Sequence, residues 1–178
     1  MGTNAGFLLQ SGEKPAKWAS EPAMTLVMET AIGALTLVER NGSLCELRFG
    51  DQLRPEEIAG ATPLLRRAEA QLREYLEGKR QQFDLPLEPW GTPFQRLVWH
   101  TLTTTVPFGA TISYGELAKR CDRPKAARAV GMANHVNPLP IFIPCHRVIG
   151  ADGKLVGYGG GISYKIRLLT LEGAPLNP

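Results

Sequence analysis

The amino-acid sequence predicts an α+β protein: a small N-terminal α/β domain, made of a three-stranded antiparallel sheet with a helix, followed by a mainly helical C-terminal domain that carries a helix-turn-helix and a candidate nucleophilic cysteine. Three features carry that expectation. Residues 25–49 come in short apolar bursts punctuated by Gly33 and Asn41-Gly42, and Asn-Gly between apolar runs signals a hairpin because both residues tolerate positive φ. Residues 63–76 repeat their apolar side chains at helical spacing instead. Pro86, Pro89 and Gly91 then read as a linker at about 84–91, after which helix-capping residues recur.

Each element follows from its own residues. Leu26-Val27-Met28, Leu35-Thr36-Leu37-Val38 and Leu44-Cys45-Glu46-Leu47-Arg48-Phe49 are the strands of a meander. Leu64, Leu65, Ala68, Leu72, Tyr75 and Leu76 share a helix face, with Gly78 as the stop. Thr92-Pro93-Phe94-Gln95 supplies a cap, a proline at the first helical position and a capping-box glutamine. The helix it opens carries Phe94, Leu97, Val98 and Leu102 inward and ends before Pro107 and Gly109. Ser113-Tyr114-Gly115-Glu116 repeats the capping spacing and opens a short helix through Lys119 or Arg120. After a turn at Asp122-Arg123-Pro124, a third helix starts with Lys125 and runs to Asn134. Two short helices joined by a tight turn form a helix-turn-helix pattern. The second presents Ala126, Ala127, Ala129 and Gly131, a slim face that on its residues alone reads first as close packing on the core and also suits close approach to a narrow groove. Ile141 to Pro144 reads as a short buried strand that cannot continue its ladder past the proline, and residues 163–171 as a final helix stopped at Gly173.

Composition narrows the classes. No apolar run approaches a membrane span, and residues 1–23, polar and proline-containing, read as a flexible arm and not a secretory signal, with Met24 an alternative start. Three cysteines, at 45, 121 and 145, make no disulfide framework and suit a reducing compartment. Three histidines, at 100, 135 and 146, show no zinc-ligand spacing with them, so neither a metal nor a cofactor is expected. Charge is uneven: residues 1–90 hold 10 Lys/Arg against 13 Asp/Glu, a net of −3, and residues 91–178 hold 10 against 4, a net of +6. The basic half suits a polyanion partner, and an ordinary solvated surface accounts for it equally well.

Chemistry concentrates in Ile141-Phe142-Ile143-Pro144-Cys145-His146-Arg147-Val148. A thiol reacts as thiolate and burial raises its pKa, so a reactive buried cysteine needs a base or a cation within reach. His146 and Arg147 are the nearest in sequence. A lone cysteine after an apolar run is also an ordinary small core residue, as Cys45 reads to be.

Pro144-Cys145-His146-Arg147-Val148, preceded by Asn137-Pro138 and followed by Gly159-Gly160-Gly161, Lys165, Leu168-Leu169 and Glu172-Gly173, closely resembles the O6-alkylguanine-DNA alkyltransferases, the methylated-DNA–protein-cysteine methyltransferases. The resemblance is strong over residues 91–178 and general over 24–90. It implies DNA repair by direct, single-turnover transfer of the alkyl group of O6-alkylguanine, or of O4-alkylthymine, to Cys145, which restores the base and spends the protein. By the same resemblance His146 matches the base that activates Cys145, Glu172 the carboxylate that orients His146, and Tyr114 the tyrosine that hydrogen-bonds the guanine. Arg128 matches the arginine that enters the stack where the nucleotide has flipped out, with Arg123, Lys125, Ala126, Ala127, Ala129 and Gly131 as the DNA-facing surroundings. The pocket is implied to include Asn137, Pro140, Arg147, Val148, Tyr158, Gly159 and Gly160. Many relatives carry serine where this chain has Gly159, which removes a hydroxyl and keeps the amide. The implied partner is double-stranded DNA, gripped through the minor groove by a monomer located wherever the genome is, cytoplasmic or nuclear. The alternatives are a non-catalytic sensor of alkylated DNA and, further off, a cysteine hydrolase.

Overall fold

In a computed structural model, residue 18 and residues 21–176 are described, so the expected arm over 1–23 falls almost wholly outside the described residues. The chain divides into two compact units between Trp90 and Gly91.

The first unit is an antiparallel meander with a helix against it. Strands β1 (Met24–Met28), β2 (Leu35–Arg40) and β3 (Ser43–Phe49) pair in sequence, Leu26 opposite Leu37 and Leu37 opposite Leu47. The β2–β3 turn is Asn41-Gly42 with both φ angles positive, 49° and 74°, the signature that matches the right-handed twist of a hairpin. A two-residue strand, β4 (Ile58–Ala59), adds itself parallel to β1, making the order β3-β2-β1-β4. Two residues carry too little pattern to announce a strand; here the pairing comes from Ile58 N–H donating to the Ala23 carbonyl and Gly60 N–H to that of Thr25. Helix α1 (Pro63–Leu76) is capped by the Thr62 hydroxyl and packs Leu65, Ala68, Leu72 and Tyr75 onto the sheet, while Leu64 and Leu76 stay half-buried at the edges of that face. Each leucine so buried contributes about 2 kcal/mol. The expected linker is pinned: Leu44 N–H donates to the Pro86 carbonyl, Glu88 N–H donates to that of Leu44, and Leu85 is buried.

The second unit is mainly helical. Helix α2 (Pro93–Thr105) begins with the full capping box, Thr92 and Gln95 each satisfying the other's backbone N–H, an arrangement worth about 1 kcal/mol. Its innermost residue is Trp99, fully buried, with Nε1 donating to the Ala133 carbonyl at 2.8 Å. A methyl group built on Gly91 would lie 2.4 Å from the Trp99 ring, so the start of this unit has room for glycine only. Strand β5 (Ile112–Ser113) leads straight into α3 (Tyr114–Arg120), whose cap is Ser113. After the turn, α4 runs Ala127–His135, with Ala126 at its N-cap and Lys125 still in the turn before it. Strand β6 (Val148–Ile149) pairs in parallel with β5, and α5 (Ile162–Leu171) closes the unit.

One expected element is absent. Residues 141–144 form no strand; Pro140 and Ile143 make a single bridge, Ile141 sits at φ 73°, and Cys145–Arg147 form one 3-10 turn. Pro138, Pro140 and Pro144 remove three N–H donors from seven residues, which leaves too few for a ladder. The Asn137 side chain supplies bonds instead, accepting from Leu139 N–H at 3.0 Å and donating to the Ile143 carbonyl at 3.0 Å.

Candidate active site

The β5–β6 pairing is what assembles the site. Ile112 opposes Val148 and Ser113 opposes Ile149, so Tyr114, at the first position of α3, starts beside the Cys145–Arg147 turn that feeds β6. In that turn successive side chains no longer alternate across a sheet, and neighbouring residues diverge to different partners. Cys145 faces a pocket of about 480 Å³. His146 and Arg147 turn inward to Glu172, the residue that caps the C-terminus of α5.

Behind the cysteine lies a closed charged cluster. The imidazole of His146 has Nε2 2.8 Å from Glu172 Oε1. Arg147 forks onto the same carboxylate, Nε to Oε2 and Nη2 to Oε1, both at 2.9 Å, and sends Nη1 to the Val106 carbonyl at 2.7 Å. Burial pushes the Glu172 carboxyl up, and the bonds from His146 and Arg147 overcome it, holding the group well below the usual carboxylate range. Burial pushes His146 down, against the raising effect of Glu172. A neutral imidazole next to a carboxylate carries its proton on the shared nitrogen, so Nε2 donates and Nδ1 keeps a lone pair. That Nδ1 is buried and has no hydrogen-bond partner among the described residues.

Around the sulfur, several groups favour the thiolate. Asn137 Nδ2 donates to Cys145 Sγ at 3.0 Å. Lys165, fully buried, aims Nζ at the carbonyls of Val148 (2.5 Å) and Val156 (3.0 Å). Burial brings its pKa down to about 8, the charge of Cys145 opposing that fall. For Cys145 itself burial is the largest influence and raises the pKa, offset by the Asn137 bond, the Lys165 charge and Tyr158. The resting group is a thiol held beside everything that stabilises its anion. Tyr114 is pushed up by burial and by the Cys145 charge, which keeps its hydroxyl protonated.

The expected site residues separate into groups. Tyr114, Ala127, Arg128, Gly131, Cys145, Tyr158 and Gly159 line the pocket. His146, Arg147 and Glu172 form the cluster behind it. Asn137 reaches the sulfur from the side, while Pro140 and Val148 are buried in the fold and Gly160 lies in the turn before α5. Arg147 thus acts on Glu172 and not on the pocket wall. Arg123 and Lys125 are exposed in the turn between α3 and α4, as is Ala129 on α4, and Ala126 is half-buried at the cap. Gly131 faces Tyr114: a methyl there would sit 3.7 Å from two of its ring carbons. Sequence reasoning gave Lys165 no role, and Met132, Asn134, His135 and Val156, which also line the pocket, were not singled out. A lysine among apolar residues of an amphipathic helix, in Tyr164-Lys165-Ile166-Arg167-Leu168, is the one signal that could have exposed the first. Among the described residues no group of His, Cys, Asp and Glu could hold a metal ion, and no helix is long and apolar enough to cross a membrane.

A cysteine at the wall of a base-sized pocket, backed by an imidazole–carboxylate pair and reached from a helix-turn-helix, defines a thiol nucleophile serving a nucleic-acid-binding fold. Comparison with known proteins makes that specific. Residues 93–174 match the family described as "6-O-methylguanine DNA methyltransferase, DNA binding domain", and residues 25–89 match "6-O-methylguanine DNA methyltransferase, ribonuclease-like domain". The chain is 48% identical over 148 residues to the methylated-DNA–protein-cysteine methyltransferase of Mycolicibacterium paratuberculosis, covering 82% of this chain and 89% of that one. It is 42% identical over 152 residues to the protein of the same name from Methanosarcina acetivorans, 83% of this chain and 97% of the other. Among solved structures it is similar to Mycobacterium tuberculosis OGT in complex with DNA, with a TM-score of 0.79 at 45% identity, over 85% of this chain and 95% of that one. The chain belongs to the methylated-DNA–protein-cysteine methyltransferase family.

Proposed function

We propose that this protein repairs DNA by taking the alkyl group from O6 of an alkylated guanine onto Cys145, in a single irreversible step. The reading is carried by one observation: the Cys145 sulfur lies at the pocket wall with Asn137 and Lys165 beside it and the His146–Glu172 pair behind it.

The steps follow from the groups present. Glu172 fixes the imidazole with its proton on Nε2, and Nδ1, which has no direct partner among the described residues, takes the Cys145 proton through one water. The thiolate attacks the alkyl carbon, a C–S bond forms as the C–O bond breaks, and the electron pair leaves on the guanine. Tyr114, held protonated, stabilises that developing charge by hydrogen bonding to the ring or giving up its proton. The product is a thioether. Unlike an acyl-enzyme it has no carbonyl for water to attack, so each molecule acts once, and a cysteine hydrolase is the less favoured class.

DNA is the partner. Arg128 occupies the gap left in the stack by the flipped nucleotide, an exchange that offsets part of an unstacking cost of about a few kcal/mol. The slim face of α4, with Ala126, Ala127, Ala129 and Gly131, enters the minor groove, Arg123 and Lys125 meet phosphates, and the protein acts as a monomer wherever the genome is. Residues 24–90 serve as the supporting domain and 91–178 as the DNA-binding and alkyl-transfer domain.

The test is the intact mass of the protein after incubation with an oligonucleotide holding one O6-methylguanine, followed by peptide mapping. One methyl per protein, on Cys145, is expected. Tight binding to the lesion with unchanged mass would convert the reading to a damage sensor.

A further inference from the structure

We propose that Met132 is a positioning residue that holds the extruded nucleotide out of the duplex; the inference rests on the alkyl transfer proposed above. Met132, at 59%, is the most exposed of the large hydrophobic side chains among the described residues. It follows Arg128 by four positions on α4, and residues four apart on a helix stand one above the other on the same face. The row continues to Val136 at the C-cap, 44% exposed. Both Arg128 and Met132 line the pocket that Cys145 faces, and so does Val156, 45% exposed, from the loop after β6. A lone methionine on a surface needs no account. One that lines the same pocket as an arginine and a reactive thiol, on a helix otherwise made slim by Ala127, Ala129 and Gly131, lies where an extruded nucleotide would meet it.

Its chemistry suits that position. An unbranched thioether adapts to the sugar edge and base face it meets, and methionine is among the apolar side chains that proteins press against unstacked base steps. The effect on rate depends on what the nucleotide would do otherwise. In a duplex the lesion is mostly stacked, and at saturating protein the transfer rate is the chemical rate multiplied by the fraction extruded. A contact made only with the extruded nucleotide raises that fraction. In a single strand no paired stack competes, the fraction is already high, and the same contact adds little.

The experiment is the rate constant of methyl transfer to Cys145 at saturating protein, followed by intact mass. The same O6-methylguanine oligonucleotide is presented as duplex and as single strand to wild type, Met132→Ala, Met132→Leu and Met132→Gln. Met132→Ala is expected to slow the duplex reaction about tenfold, the equivalent of losing one partly buried apolar side chain, and the single-strand reaction by no more than about twofold. Leucine should restore the duplex rate to within about threefold of wild type, whereas glutamine, of similar length but polar, should behave like alanine. Equal slowing on both substrates overturns the proposal, as does an alanine variant as fast as wild type on duplex, or glutamine performing as well as methionine. A wild-type protein that takes no methyl from either substrate refutes the transfer reading itself, a result distinct from the failure of Met132 alone.

Discussion

Cys45 and Cys145 are both buried, each in a different unit of the chain, and burial raises the pKa of each. At Cys45 the sulfur donates to the Val38 carbonyl at 3.5 Å, and burial drives the thiol up to about 12. A thiol that donates to a carbonyl is stabilised as a thiol. At Cys145 the direction of the bond is reversed, with Asn137 Nδ2 donating to the sulfur and the Lys165 ammonium near enough to favour its charge. Depth is common to both sites; what separates a core residue from a nucleophile is which side of the hydrogen bond the sulfur takes. The buried cations Arg48 and Lys165 differ in the same sense. Arg48 is ion-paired to both Glu46 and Glu57, with Arg54 on Glu46 as well, so charge there is matched by charge. Beside Cys145, the buried Lys165 ammonium meets the carbonyl oxygens of Val148 and Val156 and no carboxylate among the described residues, and the negative partner it suits is the thiolate.

The sharpest way to break the comparison is to remove each sulfur. Cys145→Ala should abolish methyl transfer, because the acceptor sulfur is gone, whereas Cys45→Ala should leave the rate intact and cost about 1 kcal/mol of stability; intact mass and thermal melting read the two. Next in size is Asn137→Ala, which takes away the bond to the sulfur and is expected to slow transfer about 10- to 100-fold, with some loss of melting temperature because Leu139 N–H loses its acceptor. Lys165→Met should raise the Cys145 pKa and slow transfer about tenfold at neutral pH. The sign of its pH dependence follows from the lysine pKa of about 8: below that value wild type carries the favourable charge, above it the charge is lost, so the ratio of wild type to variant should be largest below pH 8 and shrink above it. A ratio independent of pH would show that Lys165 serves only the two carbonyls. Smallest is Gly159→Ser. A side-chain carbon there would meet only the His135 carbonyl at 3.6 Å, an ordinary contact, so transfer should change by no more than about twofold.

Local signals were legible and distant ones were not. Asn41-Gly42, the Thr92 capping box and the Ser113 cap are set by residues within four positions of each other, and the structure has each of them. The spacing in residues 63–76 defined α1 to its ends for the same reason. Ile141 to Pro144 misled because β-branched, apolar residues favour strands only where enough N–H groups remain to pair, and three nearby prolines remove them. The fourth strand escaped because two residues have no pattern, and its pairing is decided by the chain around Ala23 and Thr25. In the site, the apolar run into Cys145 with His146 beside it was legible in the residues, and Glu172 came only from the family resemblance. Neither could say that Arg147 turns from the pocket to Glu172, nor that Lys165, twenty residues beyond the cysteine, returns to within reach of its charge. Those are facts of tertiary packing, and nothing in a one-dimensional pattern distinguishes a lysine that folds inward from one that stays in water.

The Trp99 indole, sealed against Gly91 and tied through Nε1 to the Ala133 carbonyl, is also an optical reporter placed inside the second unit. An indole without water contact fluoresces at shorter wavelength than a solvated one, and Trp90, 41% exposed, gives a red-shifted signal by comparison. Loosening of α4 from α2 would free the Nε1–H and wet the ring, so in a protein whose partly buried Trp18 is replaced by phenylalanine the blue edge of the emission spectrum follows the integrity of the helix that carries Arg128 and Met132, with no label attached.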